Sequence, residues 1–329
     1  MKALINTDHF GLSDLFKMMR GKVRDVFDLG NRLLIISTDR LSAHDVVLPN
    51  PIVGRGIILT QMTIKWLDKF KVMFKDLSTY LAVEHHIVST SVDDLQTEFK
   101  KFAGELAGRF MIVHKCIPLP IEFIVRGYIS GSLWKQYKRM VAESSDGPII
   151  LLGHEFPRNL QESQQLENVI FTPSTKAEAG AHDENISYEE MVKILHGWLK
   201  ENGHTNIDAE KLAEQCRNVS VKLYSKAREV ALEKGIIIAD TKFELALRFV
   251  DGKPILVIID EVLTPDSSRF WPADKYVVGQ SQPSFDKQPV RDHLSGLNWD
   301  KTPPAPELPP EIVEATEERY QTAERMLFG

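Results

Sequence analysis

GIIIADTKFELALRFVDGKPILVIIDEVLTPDSSRFW, residues 235–271, is the stretch on which the fold turns. The apolar run 236–239 leads into Asp240, Lys242 and Glu244 at alternate positions. In an extended strand those three side chains share one face. Asp251-Gly252 is a turn signal, and the second apolar run, 254–259, ends in Asp260-Glu261, so the stretch predicts an antiparallel hairpin. Register then decides its chemistry. A three-residue loop at 251–253 pairs position 250 with 254 and hence Glu244 with Asp260, their Cβ atoms roughly 5 Å apart. A two-residue loop puts them on opposite faces. Two carboxylates that close need a cation between them, and magnesium carrying nucleotide phosphates is a common one. The bland alternative is a solvated charged face. The apolar runs on both sides argue against it, because they bury the strand. The tail Thr264-Pro265-Asp266-Ser267-Ser268-Arg269 follows a strand end, where ligands are often held.

At 329 residues the chain has room for two lobes and a large core. Its 26% charged and 43% hydrophobic residues are those of a globular protein. A net charge of −6 argues against a general nucleic-acid or anionic-membrane binder, so an anionic ligand needs local cationic pockets. Cys116 and Cys216 have no metal-ligand or redox spacing. The opening MKALINTDHFGLSD lacks a secretion signal's apolar core, and no apolar run reaches membrane-spanning length. A cytoplasmic location is the expectation.

Residues 21–28, GKVRDVFD, alternate as a strand and pair with 33–37 across Gly30-Asn31, carrying Lys22 and Arg24 on one face for phosphate oxygens. No Walker or Rossmann glycine pattern is present. The polar cluster 37–45, STDRLSAHD, reads as a substrate loop or a set of Asx and Ser turns. Thr60 is expected to cap a helix running to Phe70, with a helix near 92–102 and a strand near 109–115 completing a small lobe, 1–116. Pro118 and Pro120 stiffen a crossing to the larger lobe, 117–329. Arg126 at a strand end and Ser132 at a helix start are placed to grip an anion. Residues 171–186 form a polar loop with Lys176, His182, Asp183 and Glu184. Ser187 and Glu190 make a capping box for a helix to about Lys200, and Asp208 starts a long amphipathic helix ending near Gly235. After a turn-rich and proline-rich stretch, residues 311–328 form a terminal helix expected to fold back on the body.

The runs IPLPIEFIVRGYISGS, IIIADTKFE and IDEVLTPDSSRFW, with GKVRDVF, STDRLSAHD and FTPSTKAEAGAHDENIS, resemble the SAICAR synthetase family over most of residues 15–275. The resemblance implies an α+β, two-lobed fold with a kinase-like small lobe and an ATP-grasp-like larger lobe. It implies an ATP-dependent ligase that joins L-aspartate to carboxyaminoimidazole ribotide (CAIR), giving the succinocarboxamide, ADP and phosphate in purine biosynthesis. The partners it implies are these small molecules, with the chain a monomer or small homo-oligomer.

Activating a carboxylate in water calls for an acyl phosphate, and phosphoryl transfer is mostly positioning and charge neutralisation. On this reading Glu244 and Asp260 hold Mg²⁺, and Lys242 orients the CAIR carboxylate. Lys22 and Arg24 meet the ATP phosphates, with Lys115, Ile117 and Lys176 as further ATP contacts. Arg126, Ser132 and Arg269 hold the ribotide phosphate, and Arg40, Ser42, Asp45 and Asp266 surround it. The 171–186 loop becomes a lid. The family has Glu-Phe-Gly where this chain has Glu244-Leu245-Ala246, and an aromatic residue at His44, which could titrate near neutral pH. A small-molecule kinase would need an H-R-D-type catalytic loop, absent here, and a non-catalytic nucleotide module would keep Lys22 but lose one of the two carboxylates.

Overall fold

The computed structural model describes residues 2–176 and 184–329, so His182 and Asp183 of the expected lid lie outside the described residues. The fold is α+β, as expected, built on two sheets. The larger, of seven strands, runs Gln165–Phe171, Ile117–Tyr128, Ile236–Val250, Lys253–Ile259, Ala82–His85, with Ser174–Thr175 and Ser268–Pro272 paired alongside. The smaller, of five, runs Met18–Arg20, Arg24–Asp28, Arg32–Ser37, Phe110–His114, Ile87–Ser89. His86 joins them: its N–H donates to Ile258 O (3.0 Å) and its carbonyl accepts from the His114 N–H (2.9 Å).

Ile236–Val250 is the central strand of the larger sheet. Ile236 and Ile238 face the main core, yet from Phe243 on it is the odd positions, Phe243 and Leu245, that do so. A bulge between Ile238 and Asp240 shifts the alternation. Asp240, Lys242 and Glu244 are thereby turned together to the open side. The bulge is braced by Tyr224 of helix Ala209–Glu233, whose Oη lies 2.7 Å from Ile238 O and 3.1 Å from Ala239 O and shares its one hydrogen between them. That helix and Tyr188–Glu201 cover the sheet, with Asp208 and the Ser187/Glu190 capping box at their starts, as the sequence predicts.

The hairpin register differs from the one a magnesium pair needs. Val250 pairs with Lys253 and Glu244 with Ile259, so the loop is the two residues Asp251-Gly252, at φ 50° and 77°. Both lie in the left-handed region, the geometry whose twist matches a tight hairpin and which Asp-Gly favours. Glu244 therefore does not oppose Asp260, which sits past the strand end at φ 64°. Three other expectations are corrected. The proline-stiffened linker is the start of one continuous strand, Ile117–Tyr128. The first long helix is Arg55–Phe70, entered through Gly54 at φ 78°; Thr60 lies inside it, bonded to Ser37 Oγ (2.9 Å) rather than capping it. Residues 92–102 hold only a 3₁₀ turn, Val92–Asp94, and the short helix Thr97–Lys100.

The smaller sheet has its own core of Phe27, Leu34, Ile36, Phe99, Phe110 and Ile112. Helix Arg55–Phe70 and strand Ala82–His85 instead pack into the main core, with the terminal helix Pro310–Phe328. Trp66 and Phe328 meet edge to face at 5.3 Å. No helix among the described residues is long and apolar enough to cross a membrane.

Candidate active site

Asp240 is paired across the sheet with Arg126 on one neighbouring strand and with Arg269 on the other. One carboxylate oxygen, Oδ2, accepts from Arg126 Nη1 (2.8 Å) and also from Arg269 Nη1. Arg126 is buried; its Nε donates to Thr172 Oγ1 (2.9 Å) and its Nη2 to Ser132 Oγ (3.4 Å). Burial pushes the Arg126 pKa down against the pull of Asp240, while Asp240 raises that of Arg269. Two guanidinium groups on one carboxylate leave an unmatched positive charge, the requirement for an anion site in an acidic protein.

Two residues along the strand, Lys242 Nζ donates to Glu122 Oε1 (2.7 Å) and Glu244 Oε1 (3.2 Å), and Lys176 Nζ to Glu244 Oε2 (2.6 Å). Burial works against the Lys242 charge, but Glu244 and Glu122 outweigh it and raise its pKa. Glu244 is held at about 2, burial being overcome by Lys242 and Lys176. The site is thus a ladder of alternating charge. With Thr241 and Ser268 hydroxyls 2.7 Å apart, Glu122, Arg126, Ser132, Asp240, Lys242 and Arg269 line a cleft of about 400 Å³, together with Ser267, Asp266, Asp286 and Arg291, and Glu244 and Lys176 adjoin it through Lys242.

The smaller sheet meets the end of the hairpin through Arg24. Arg24 is ion-paired with Asp260 and lies 3.5 Å from Glu261. Lys22 is on the bend between Met18–Arg20 and Arg24–Asp28, not on a strand with Arg24, and its Nζ meets exposed Asp45 at 2.5 Å. Arg40 is not in the cleft. It is buried, and donates to the carbonyls of Ile5, Gly21, Lys22 and Arg24 and to Asp25, so it shapes the Lys22 bend from behind. Ser42 is half-buried in the two-residue strand Ser42–Ala43. Lys115 pairs with Asp28 (2.6 Å), and Ile117 is exposed at the start of its strand. The expected lid is pinned at its stem, where Thr175 N–H donates to Glu184 O (2.9 Å).

The structure brings together Arg126, Ser132, Lys176, Lys242, Glu244 and Arg269, and separately Arg24 with Asp260. It does not join Glu244 to Asp260, and among the described residues no group of three or more His, Cys, Asp or Glu is arranged for a metal ion. Asp266 lines the cleft, but its carboxylate is taken by Arg55 (2.5 Å), Lys287 (3.3 Å) and the Tyr320 hydroxyl. His44 is pushed below its ordinary pKa by burial and by Lys301 and Arg291, so it stays neutral at pH 7. Sequence reasoning missed Glu122, Arg291 and Tyr320, and read Asp240 only as part of the stripe. Glu122 had a signal, an acid in an otherwise apolar strand; the other two had none.

A family model described as SAICAR synthetase matches residues 17–306. The chain belongs to the SAICAR synthetase family. The phosphoribosylaminoimidazole-succinocarboxamide synthase of Desulfosudis oleivorans is 48% identical over 328 residues, covering 100% of this chain and 99% of that one. The SAICAR synthase of Saccharomyces cerevisiae, solved with SAICAR, is 38% identical with a TM-score of 0.74, covering 96% of each chain. A SAICAR synthetase solved with ADP shares the fold at 20% identity and a TM-score of 0.59, covering 95% and 98%. The charge ladder therefore sits on a SAICAR synthetase scaffold, and the family's ATP-using ligase chemistry is this chain's activity.

Proposed function

We propose that the cleft carries the SAICAR synthetase reaction through an acyl phosphate. The CAIR carboxylate attacks the γ-phosphorus of ATP and ADP leaves. The aspartate amine then attacks the acyl carbon, phosphate leaves with the C–O bond, and the amine gives up its proton to solvent. The observation that carries this reading is the alternation of Asp240, Lys242 and Glu244, the first two lining the cleft and Glu244 bonded to Lys242 at its edge. Lys242, kept charged by Glu122 and Glu244, orients the CAIR carboxylate. Arg126 and Arg269, sharing Asp240, take the ribotide phosphate with Ser132. Lys22 and Arg24 meet the ATP phosphates, with Lys115, Ile117 and Lys176 along the nucleotide. Ser42 and Asp45 edge the ribotide site, whereas Arg40 and Asp266 support it from outside.

Mg²⁺ is proposed as the counter-ion of ATP. Glu244 and Asp260 fit it as separate ligands: both offer partly exposed carboxylate oxygens, Glu244 is ionised, and magnesium needs only one or two carboxylates beside phosphates and water. When bound, the ion neutralises phosphate charge. We also propose the division at residue 116 into a nucleotide lobe and a larger substrate lobe, a cytoplasmic location, and a monomer or small homo-oligomer.

The test is ADP release from Mg-ATP and CAIR, with and without L-aspartate, in wild type and Lys242→Met. Turnover that needs all three substrates, with kcat/KM lowered at least about a hundredfold in the variant, is expected. ADP release indifferent to CAIR and aspartate, or a variant at wild-type rate, refutes the reading.

A further inference from the structure

The carboxylate of Asp266 is the meeting point of four chain segments. It lies in the loop that leads from the second hairpin strand to Ser267, Ser268 and Arg269. One oxygen, Oδ2, accepts from Arg55 Nη2 (2.5 Å), the first residue of helix Arg55–Phe70, and from Lys287 Nζ (3.3 Å), which precedes helix Gln288–Ser295. The other, Oδ1, accepts from the hydroxyl of Tyr320 on the terminal helix. Arg55 and Tyr320 are fully buried, and Asp266 and Lys287 nearly so. The Asp266 side chain is only 6% exposed and both its oxygens are occupied by donors that include the fully buried Arg55 and Tyr320, so it is not offered to a ligand. It acts instead as a clasp on the loop that presents Ser267, Ser268 and Arg269 to the cleft.

The clasp also reaches the smaller sheet. Arg55 Nη1 donates to Arg40 O (2.9 Å), and the Arg40 guanidinium holds the carbonyls of Gly21 and Lys22 (each 2.9 Å). A run of buried and part-buried hydrogen bonds therefore leads from the terminal helix through Asp266, Arg55 and Arg40 to the bend that carries Lys22. Helix Pro310–Phe328 is also held by apolar packing, in which Tyr320 and Leu327 join the main core, by Arg319 Nη1 donating to Ser284 O, and by the Lys65–Glu324 pair. Of these contacts it is the Tyr320 hydroxyl that bonds to Asp266 and so ties the helix to the loop carrying Arg269.

We propose that Tyr320, acting through Asp266, is a positioning residue for the ribotide side of the cleft. The C-terminal segment is on this view part of the active site's frame. The inference rests on the reading that Arg126 and Arg269 bind the ribotide. Removing the hydroxyl leaves the ring and the packing in place and takes one donor from Asp266 Oδ1. The loop then loses its tether to the terminal helix while keeping those to Arg55 and Lys287.

The experiment measures KM for CAIR, L-aspartate and ATP separately, kcat, and the melting temperature. The proteins are full-length wild type, Tyr320→Phe, Lys287→Met, Arg269→Met and Glu324→Gln. Glu324 is on the same helix, paired with Lys65 at 3.1 Å, and its variant should match wild type in every KM. Tyr320→Phe should raise KM for CAIR about tenfold with kcat within about twofold, and Lys287→Met should raise the same KM less. A Tyr320→Phe protein that melts lower with every KM unchanged overturns the proposal, since a purely structural tether would do only that. If Tyr320→Phe does not fold, an unchanged KM for CAIR in Lys287→Met overturns it. An impaired Arg269→Met beside a normal Tyr320→Phe refutes the clasp alone; a normal Arg269→Met refutes the ribotide assignment beneath it.

Discussion

Replacing Asp240 by Asn tests the centre of the charge ladder. The carboxylate is 7% exposed and lies 2.8 Å from Arg126 Nη1, itself 3% exposed. At an effective dielectric near 20 that separation corresponds to roughly 6 kcal/mol of attraction. Desolvation of both groups offsets part of it, and the typical cost of leaving one member of a buried pair uncompensated is about 3 to 5 kcal/mol. Arg269 adds little, because its side chain is 31% exposed and water screens it. With a urea slope of about 3 kcal/mol per molar, the unfolding midpoint should fall by about 1 to 1.7 M. The variant also leaves two guanidinium groups facing a neutral amide, so added inorganic phosphate should restore stability. Saturation at a hundred times its Kd would return about 2.7 kcal/mol. The assay is urea unfolding of both proteins with and without phosphate, at constant ionic strength. A midpoint lowered by less than about 0.3 M, or phosphate shifts equal in the two proteins, would refute the account of Asp240 as the counter-ion of buried Arg126 and its neighbour Arg269.

Gly131 sits at φ 58°, and a Cβ there would collide with the Arg269 guanidinium. Gly131→Ala should cost about 1 kcal/mol of stability and lower kcat/KM for CAIR by at least about tenfold, measured by melting and steady-state kinetics. Glu244 is depressed from 4.5 to about 2, so the stability it contributes is present above pH 4.5 and lost as pH falls towards 2. Acid titration of stability should therefore be shallower in Glu244→Gln across that window, by roughly 3 kcal/mol in total, and equal slopes would contradict it.

Much of this protein was legible in one hairpin. Alternation in residues 240–244 put Asp240, Lys242 and Glu244 on one face, and the structure keeps them there. The helix starts at Ser187 and Asp208 were equally readable, because a cap is a bond between neighbours in the chain. The family, and with it the ligase chemistry, followed from motifs that are contiguous in sequence. The turn was misread by one residue, and in a strand one residue exchanges the faces: Asp260 went to Arg24 instead of facing Glu244.

What tertiary structure alone decided is who neutralises whom. Glu122 reaches Lys242 across 120 positions, and Arg126 reaches Asp240 across 114. Tyr320 meets Asp266, from a terminal helix with no motif of its own, only because that helix packs beside Arg55–Phe70. Local patterns fix which groups a strand or helix presents, since they depend on the chain's own period. The partner of a buried charge depends on which distant segments the core brings alongside, and hydrophobic packing, being non-directional, writes no local signal for that choice.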